Sequence, residues 1–153
     1  TYTGTGRAQI ALTNERAKIA QVLLRAKSLA ISTFGDPTPG GSVCGYGVRF
    51  FQDASGEGYE IFRANGSPCP PPVIDATDGN HYEVVGEERF FLAPEVTFRA
   101  GGLDAALFVP PNPNVYLWAG TQMLVEGSVG LITRNGSMSG DIFLNAGGQI
   151  TPR

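Results

Sequence analysis

The placement of glycine and proline divides this chain in two. Residues 8–31 contain neither, whereas all 21 Gly and 11 Pro fall outside that stretch. In a helix interior Gly costs about 1 kcal/mol and Pro about 3 kcal/mol relative to Ala. Residues 8–31 are therefore the one segment suited to a long helix. Within them Ala8, Ile10, Leu12, Ala17, Ile19, Ala20, Val22, Leu23, Ala26, Leu29 and Ala30 recur at helical spacing. Ile19, Val22, Leu23, Ala26, Leu29 and Ala30 make one continuous stripe, and Arg16, Lys18, Arg25 and Lys27 mostly fall off it. Such a helix is about 36 Å long. Phe34-Gly35-Asp36-Pro37 supplies a stop, because Gly can cap and Pro cannot continue. The first turns extend beyond any obvious core.

From about residue 42 to 151 the pattern becomes short strands between turns. Val43–Phe51 and Tyr59–Arg63 flank a Gly-containing turn and predict a hairpin. Residues 65–80 read as a long, partly polyproline loop. Further strands are expected at His81–Val85, Arg89–Leu92, Glu95–Arg99, Ala106–Val109, Ser128–Thr133, Ser139–Leu144 and Gln149–Thr151. Pro110-Pro111-Asn112-Pro113 reads as a loop. The expected fold is α+β: one 153-residue domain, with a long N-terminal amphipathic helix packed on an antiparallel sheet of about eight strands. No run of 18 apolar residues exists, so no segment reads as a membrane span.

The net charge of −3 is unevenly distributed. Residues 1–33 hold five cations against Glu15, a net +4, whereas residues 34–104 hold four cations against eleven acids, a net −7. Two readings fit: solvated faces on separate elements, or complementary packing between copies of the chain. The acidic balance argues against nucleic-acid binding through bulk charge. Cys44 and Cys69 are the only cysteines, and no C-x-x-C occurs. They are either two buried thiols or a pair. Pairing, the favoured alternative, would pin the Pro-rich loop to a strand and imply an oxidising, extracytoplasmic setting.

Enzyme motifs are absent. Gly136-Ser137-Met138-Ser139-Gly140 has Met where a G-x-S-x-G nucleophile would stand, and neither a Walker loop nor a dinucleotide fingerprint occurs. His81 is the only histidine, and it reads as an ordinary strand residue. The acids, including the adjacent Glu87 and Glu88, read as solvated surface groups. Asp75, Asp78 and Asn80 around Gly79 are the best candidates for calcium oxygens, but the spacing fits an ordinary Asx turn better. Asn65-Gly66-Ser67 and Asn135-Gly136-Ser137 match the glycosylation pattern and equally match turns. Tyr46, Phe50, Phe51, Tyr59, Phe62, Phe90, Phe91 and Phe98 could form a stacking platform, although their spacing favours a β core. No cofactor is expected.

A long helix followed by a β-meander resembles a type IV pilin or pseudopilin without its apolar half-helix. Thr13–Ile31 (TNERAKIAQVLLRAKSLAI) resembles the second half of the spine helix in GspH/FimT-like minor subunits. CGYGVRFF at Cys44–Phe51 with YEIF at Tyr59–Phe62 resembles their first hairpin. ALFVPPNP at Ala106–Pro113 and GDIFLNAGGQIT at Gly140–Thr151 resemble their closing segments. The resemblance implies a non-catalytic filament subunit, made as a membrane-anchored prepilin, cleaved and N-methylated by a prepilin peptidase. Its partners would be other pilin or pseudopilin subunits, and the inner membrane through an apolar helix upstream. It would then stand in a periplasmic or cell-surface filament. The start at Thr1 rather than Met fits that expectation. Ile10, Leu12, Ile19 and Leu23 are the expected spine residues, the first two mainly for assembly. Some relatives bind DNA for uptake through basic residues near the C-terminus; here Arg134 and Arg153 are too few and too far apart, so that role is disfavoured. The alternative is a secreted β-sandwich binding module such as an adhesin.

Overall fold

A computed structural model describes residues 4–33, 43–110 and 114–152. Helix α1 spans Gly4–Ser32 and is followed by ten strands: β1 Val43–Asp53, β2 Gly56–Asn65, β3 Tyr82–Phe91, β4 Val96–Phe98, β5 Ala105–Val109, β6 Asn114–Ala119, β7 Gln122–Leu124, β8 Glu126–Thr133, β9 Ser139–Asn145 and β10 Ile150–Pro152. They form two antiparallel sheets, a six-stranded one ordered β3-β2-β1-β5-β6-β7 and a four-stranded one ordered β10-β9-β8-β4. The expected α+β class with one N-terminal helix on antiparallel sheet is present. The strands number ten among the described residues rather than about eight.

Helix α1 packs across both sheets. Its buried residues are Ala8, Leu12, Glu15, Ile19, Leu23, Ala26 and Ala30, spaced three or four apart along almost the whole helix. This stripe meets Tyr46, Val48, Phe50, Tyr59 and Ile61 of the larger sheet, and Val129, Leu131, Ile142 and Leu144 of the smaller. The helix begins four residues earlier than its glycine-free stretch. It closes where the Thr33 hydroxyl and N–H both donate to the Leu29 carbonyl, at 2.7 and 3.1 Å. The expected stop at Phe34–Pro37 lies outside the described residues.

The opposite face of the six-stranded sheet is also covered. Cys44, Phe62, Ala64, Tyr82, Ala105, Leu107 and Trp118 form a second core, with Ile74 of the 66–80 loop packed against it. The Cys44–Cys69 disulfide is formed and ties this loop to β1. Trp118 Nε1 donates to the Pro72 carbonyl at 3.2 Å, so the loop also satisfies the one buried indole. Gly47 lets β1 and β5 approach: a Cβ there would lie 2.1 Å from the Ala106 carbonyl oxygen.

Two departures from the sequence expectation have local causes. The strands expected at His81–Val85 and Arg89–Leu92 are one strand, β3, which leaves out His81 and Leu92 at the ends. Val84 pairs with Phe62 and Arg89 with Glu60, so five residues of β3 advance against two of β2, and Gly86 takes a φ of 51° inside that bulge. Strands β6 and β7 have no counterpart in the sequence expectation. The Pro110–Pro113 run masks the start of β6, and its Val-Tyr-Leu-Trp core is apolar on both faces, without the alternation that marks a half-buried strand.

Candidate functional site

Two faces of α1 carry apolar side chains. Opposite the buried stripe stand Ile10, Ala17, Leu24 and Ile31, all exposed and spaced seven apart. At 3.6 residues per turn this seam lies about 150° from the centre of the buried stripe. Ile10, Leu24 and Ile31 are 45%, 54% and 50% exposed. Beside the seam stand the uncharged Gln9, Thr13, Asn14, Gln21 and Ser28, and the exposed cations Arg7, Lys18 and Arg25 lie about 90–110° around the helix from its centre. The helix cations lie to either side. Lys27 Nζ reaches the Gly148 carbonyl at 3.3 Å, the Arg16 side chain lies over Gly140, and Arg25 pairs with Glu88 at 2.7 Å. What results is a charge-free apolar ridge along a helix whose other face holds the core.

The expected spine residues divide differently from expectation. Ile10 is on the exposed seam, while Ile19 and Leu23 are fully buried in the protein's own core. Leu12, expected mainly to serve assembly, is only 7% exposed and belongs to that same core. The reason is that the four-stranded sheet and the segment following β3 reach far along the helix. Met138 packs against the cluster containing Leu12, and the Ala93 N–H donates to Glu15 Oε1 at 3.1 Å. The helix's first turns do have a core to cover.

The acids are not all solvated groups, as expected from sequence: Glu15 and Glu60 are buried. Glu15 accepts from the Ala93 N–H and the Tyr59 hydroxyl. Burial first, and the Glu15 charge second, push the Tyr59 pKa well above its ordinary value. Glu60 Oε1 accepts from Arg89 at 2.6 Å, and its Oε2 accepts from the Tyr82 hydroxyl with Arg49 at 3.5 Å. Burial and Glu60 raise Tyr82 in the same way. Burial works to lower the Arg49 pKa, but Tyr82 and Glu60 outweigh it and the value rises. Every oxygen of Glu60 is thus engaged, and the cluster joins β1, β2 and β3. Beside it a cleft of about 440 Å³ opens between Arg49, Phe51, Arg99, Asp104 and Trp118. Trp118 is fully buried and offers no ring face.

Of the proposed aromatic platform, Tyr46, Phe50, Phe51, Tyr59 and Phe62 are buried, and Phe91 alone is more than half exposed. The calcium candidates Asp75 and Asp78 bond groups of their own loop. Asp75 accepts from the N–H and hydroxyl of Thr77, and Asp78 from the Asn80 N–H and the His81 ring, so their oxygens close local turns. Among the described residues no group of three or more His, Cys, Asp or Glu side chains is placed to hold a metal. His81 is not the strand residue expected: it lies in the turn just before β3, with its Nδ1 2.8 Å from Asp78. Arg134 is taken up by the Pro94 carbonyl at 2.6 Å and Glu57 at 3.0 Å. Arg153 lies outside the described residues.

No helix among the described residues is long and apolar enough to cross a membrane. No protein-family model, no curated protein and no solved structure matches the chain.

Proposed function

We propose that this chain is the globular part of a non-catalytic filament subunit, a minor pilin or pseudopilin, and that it assembles through the solvent face of α1. One observation carries this reading: Ile10, Ala17, Leu24 and Ile31 form an exposed seam at seven-residue spacing, with every helix cation outside it. A helix serving only its own domain needs a single apolar stripe. A second apolar position repeating every seven residues keeps one side of the helix apolar along its length, where another helix can lie. The disulfide fits the extracytoplasmic setting that such filaments occupy. In this account an apolar segment upstream anchors the precursor in the inner membrane, and a prepilin peptidase processes it before assembly.

The test is incorporation. Full-length protein carrying Leu24→Glu is expected to melt as the parent does and to be missing from sheared filaments. Wild-type incorporation of that variant would contradict the proposed face. Absence of the unmodified chain from any filament fraction would contradict the function.

A further inference from the structure

The two Asn-Gly-Ser sites are equivalent as sequence and differ in the fold. Asn65 is the last residue of β2 and is half-buried. It pairs with Val43 of β1, and its N–H donates to the His81 carbonyl at 3.0 Å. The chain after it enters the loop that the Cys44–Cys69 bridge fastens. Asn135 stands in the turn joining β8 to β9, where Arg134, Asn135, Gly136 and Ser137 are all exposed.

The turn accounts for only one end of the Asn135 side chain. Its Oδ1 accepts from the Thr133 hydroxyl at 2.6 Å, the Ser137 hydroxyl at 2.7 Å and the Ser137 N–H at 3.0 Å. An aspartate oxygen would close this turn equally well. The Nδ2 hydrogens have no acceptor among the described residues. Asn145, at the end of β9, is the contrast. Its Oδ1 accepts from the Gly147 and Gln149 N–H groups, and its Nδ2 donates to Gln149 Oε1 at 3.1 Å. The fold therefore uses both ends of Asn145 and one end of Asn135. The space beside the Asn135 amide is open: a Cβ on Gly136 would meet no atom within 4 Å.

We propose that Asn135 is an acceptor for an N-linked glycan. Asn-x-Ser in a surface turn is the pattern that such transfer reads, and the disulfide fits passage through an oxidising, extracytoplasmic compartment. The donor is an oligosaccharide linked through phosphate to a lipid, and an oligosaccharyltransferase catalyses the step. Nδ2 bonds to C1 of the first sugar, the C1–O bond to phosphate breaks, and the lipid phosphate leaves. A base of the transferase takes one Nδ2 proton. Oδ1 is untouched, so the three hydrogen bonds of the turn survive, and the bulky glycan projects into solvent. Asn65 stays unmodified. The site is independent of the filament role, and each can fail without the other.

Peptide mapping of the full-length protein exported by the cells that produce it tests this, using mass spectrometry with fragmentation that keeps glycans attached. The peptide containing Asn135 is expected to carry a sugar mass increment, and the peptide containing Asn65 none. Asn135→Asp keeps the turn oxygen and lacks the amide, so it is expected to melt as the parent does and to lose the increment. Ser137→Ala is expected to lose it as well, and Ser137→Thr to retain it. An unmodified Asn135 in the exported protein, an increment on Asn65, or an increment that persists in Asn135→Asp would each overturn the proposal.

Discussion

Glu60 joins three strands through one carboxylate. It sits on β2, takes Arg49 from β1, and takes Arg89 and Tyr82 from β3. Removing one member of a buried ionic cluster leaves the others uncompensated, at about 3–5 kcal/mol. Glu60→Ala is therefore expected to lower unfolding free energy by that amount in urea titrations, and Glu60→Gln, which preserves the shape, by less. A change under about 1 kcal/mol for the alanine variant would contradict the role. Glu57 acts between the two sheets. Burial works to raise its pKa, but donors from Thr97, Gln52 and the Phe98 N–H, with Arg134, prevail and hold it below its ordinary 4.5. The unfolded chain thus takes up the proton first as pH falls. The stability Glu57 contributes is complete above about pH 4.5 and is lost as pH falls through the lower folded value. Glu57→Gln is expected to cost about 1–3 kcal/mol at pH 7, and the gap should close in acid. A pH-independent gap would refute this origin.

Helix α1 is where element-level behaviour is most informative, because its two apolar stripes make different predictions. Leu12→Ala and Leu23→Ala each open a buried site and are expected to cost about 2–5 kcal/mol, whereas Leu24→Ala should stay within about 0.5 kcal/mol. Thermal melts of the three variants check this, and a neutral Leu12→Ala would contradict the packing described. The same helix shows what was legible in advance. Absence of Gly and Pro located it, and the stripe from Ile19 to Ala30 marked its core face. The role of Leu12 was not legible, because periodicity says which residues share a face and not how far a distant sheet extends along it. Likewise no local pattern separates Glu60 from a solvated acid. Its partners Arg49 and Arg89 lie 11 and 29 positions away and meet it only through strand register. The exposed seam was legible in principle from the seven-residue spacing of Ile10, Ala17, Leu24 and Ile31, but the flanking core stripe hides it.

At the scale of the molecule, two sheets are held by one helix, and the outer face of the larger sheet is sealed by a loop. The Cys44–Cys69 bridge fastens that loop over Trp118 and Leu107. Replacing both cysteines with serine is expected to destabilise the domain by about 3–4 kcal/mol, with the closed loop of 25 residues setting the scale. Calorimetry under oxidising conditions measures it, and an unchanged melting temperature would show that the loop holds without its bridge. With the inner faces filled by α1 and this outer face sealed, the seam of Ile10, Ala17, Leu24 and Ile31 remains exposed along the length of α1, between its cations. In the proposed function this side is covered in a filament. A photo-crosslinking amino acid placed at Leu24 of the full-length protein, in cells assembling the filament, tests that most directly. A covalent adduct with another filament subunit is expected at Leu24, and none at the exposed control Thr121. An adduct-free Leu24 in assembled filaments would contradict it.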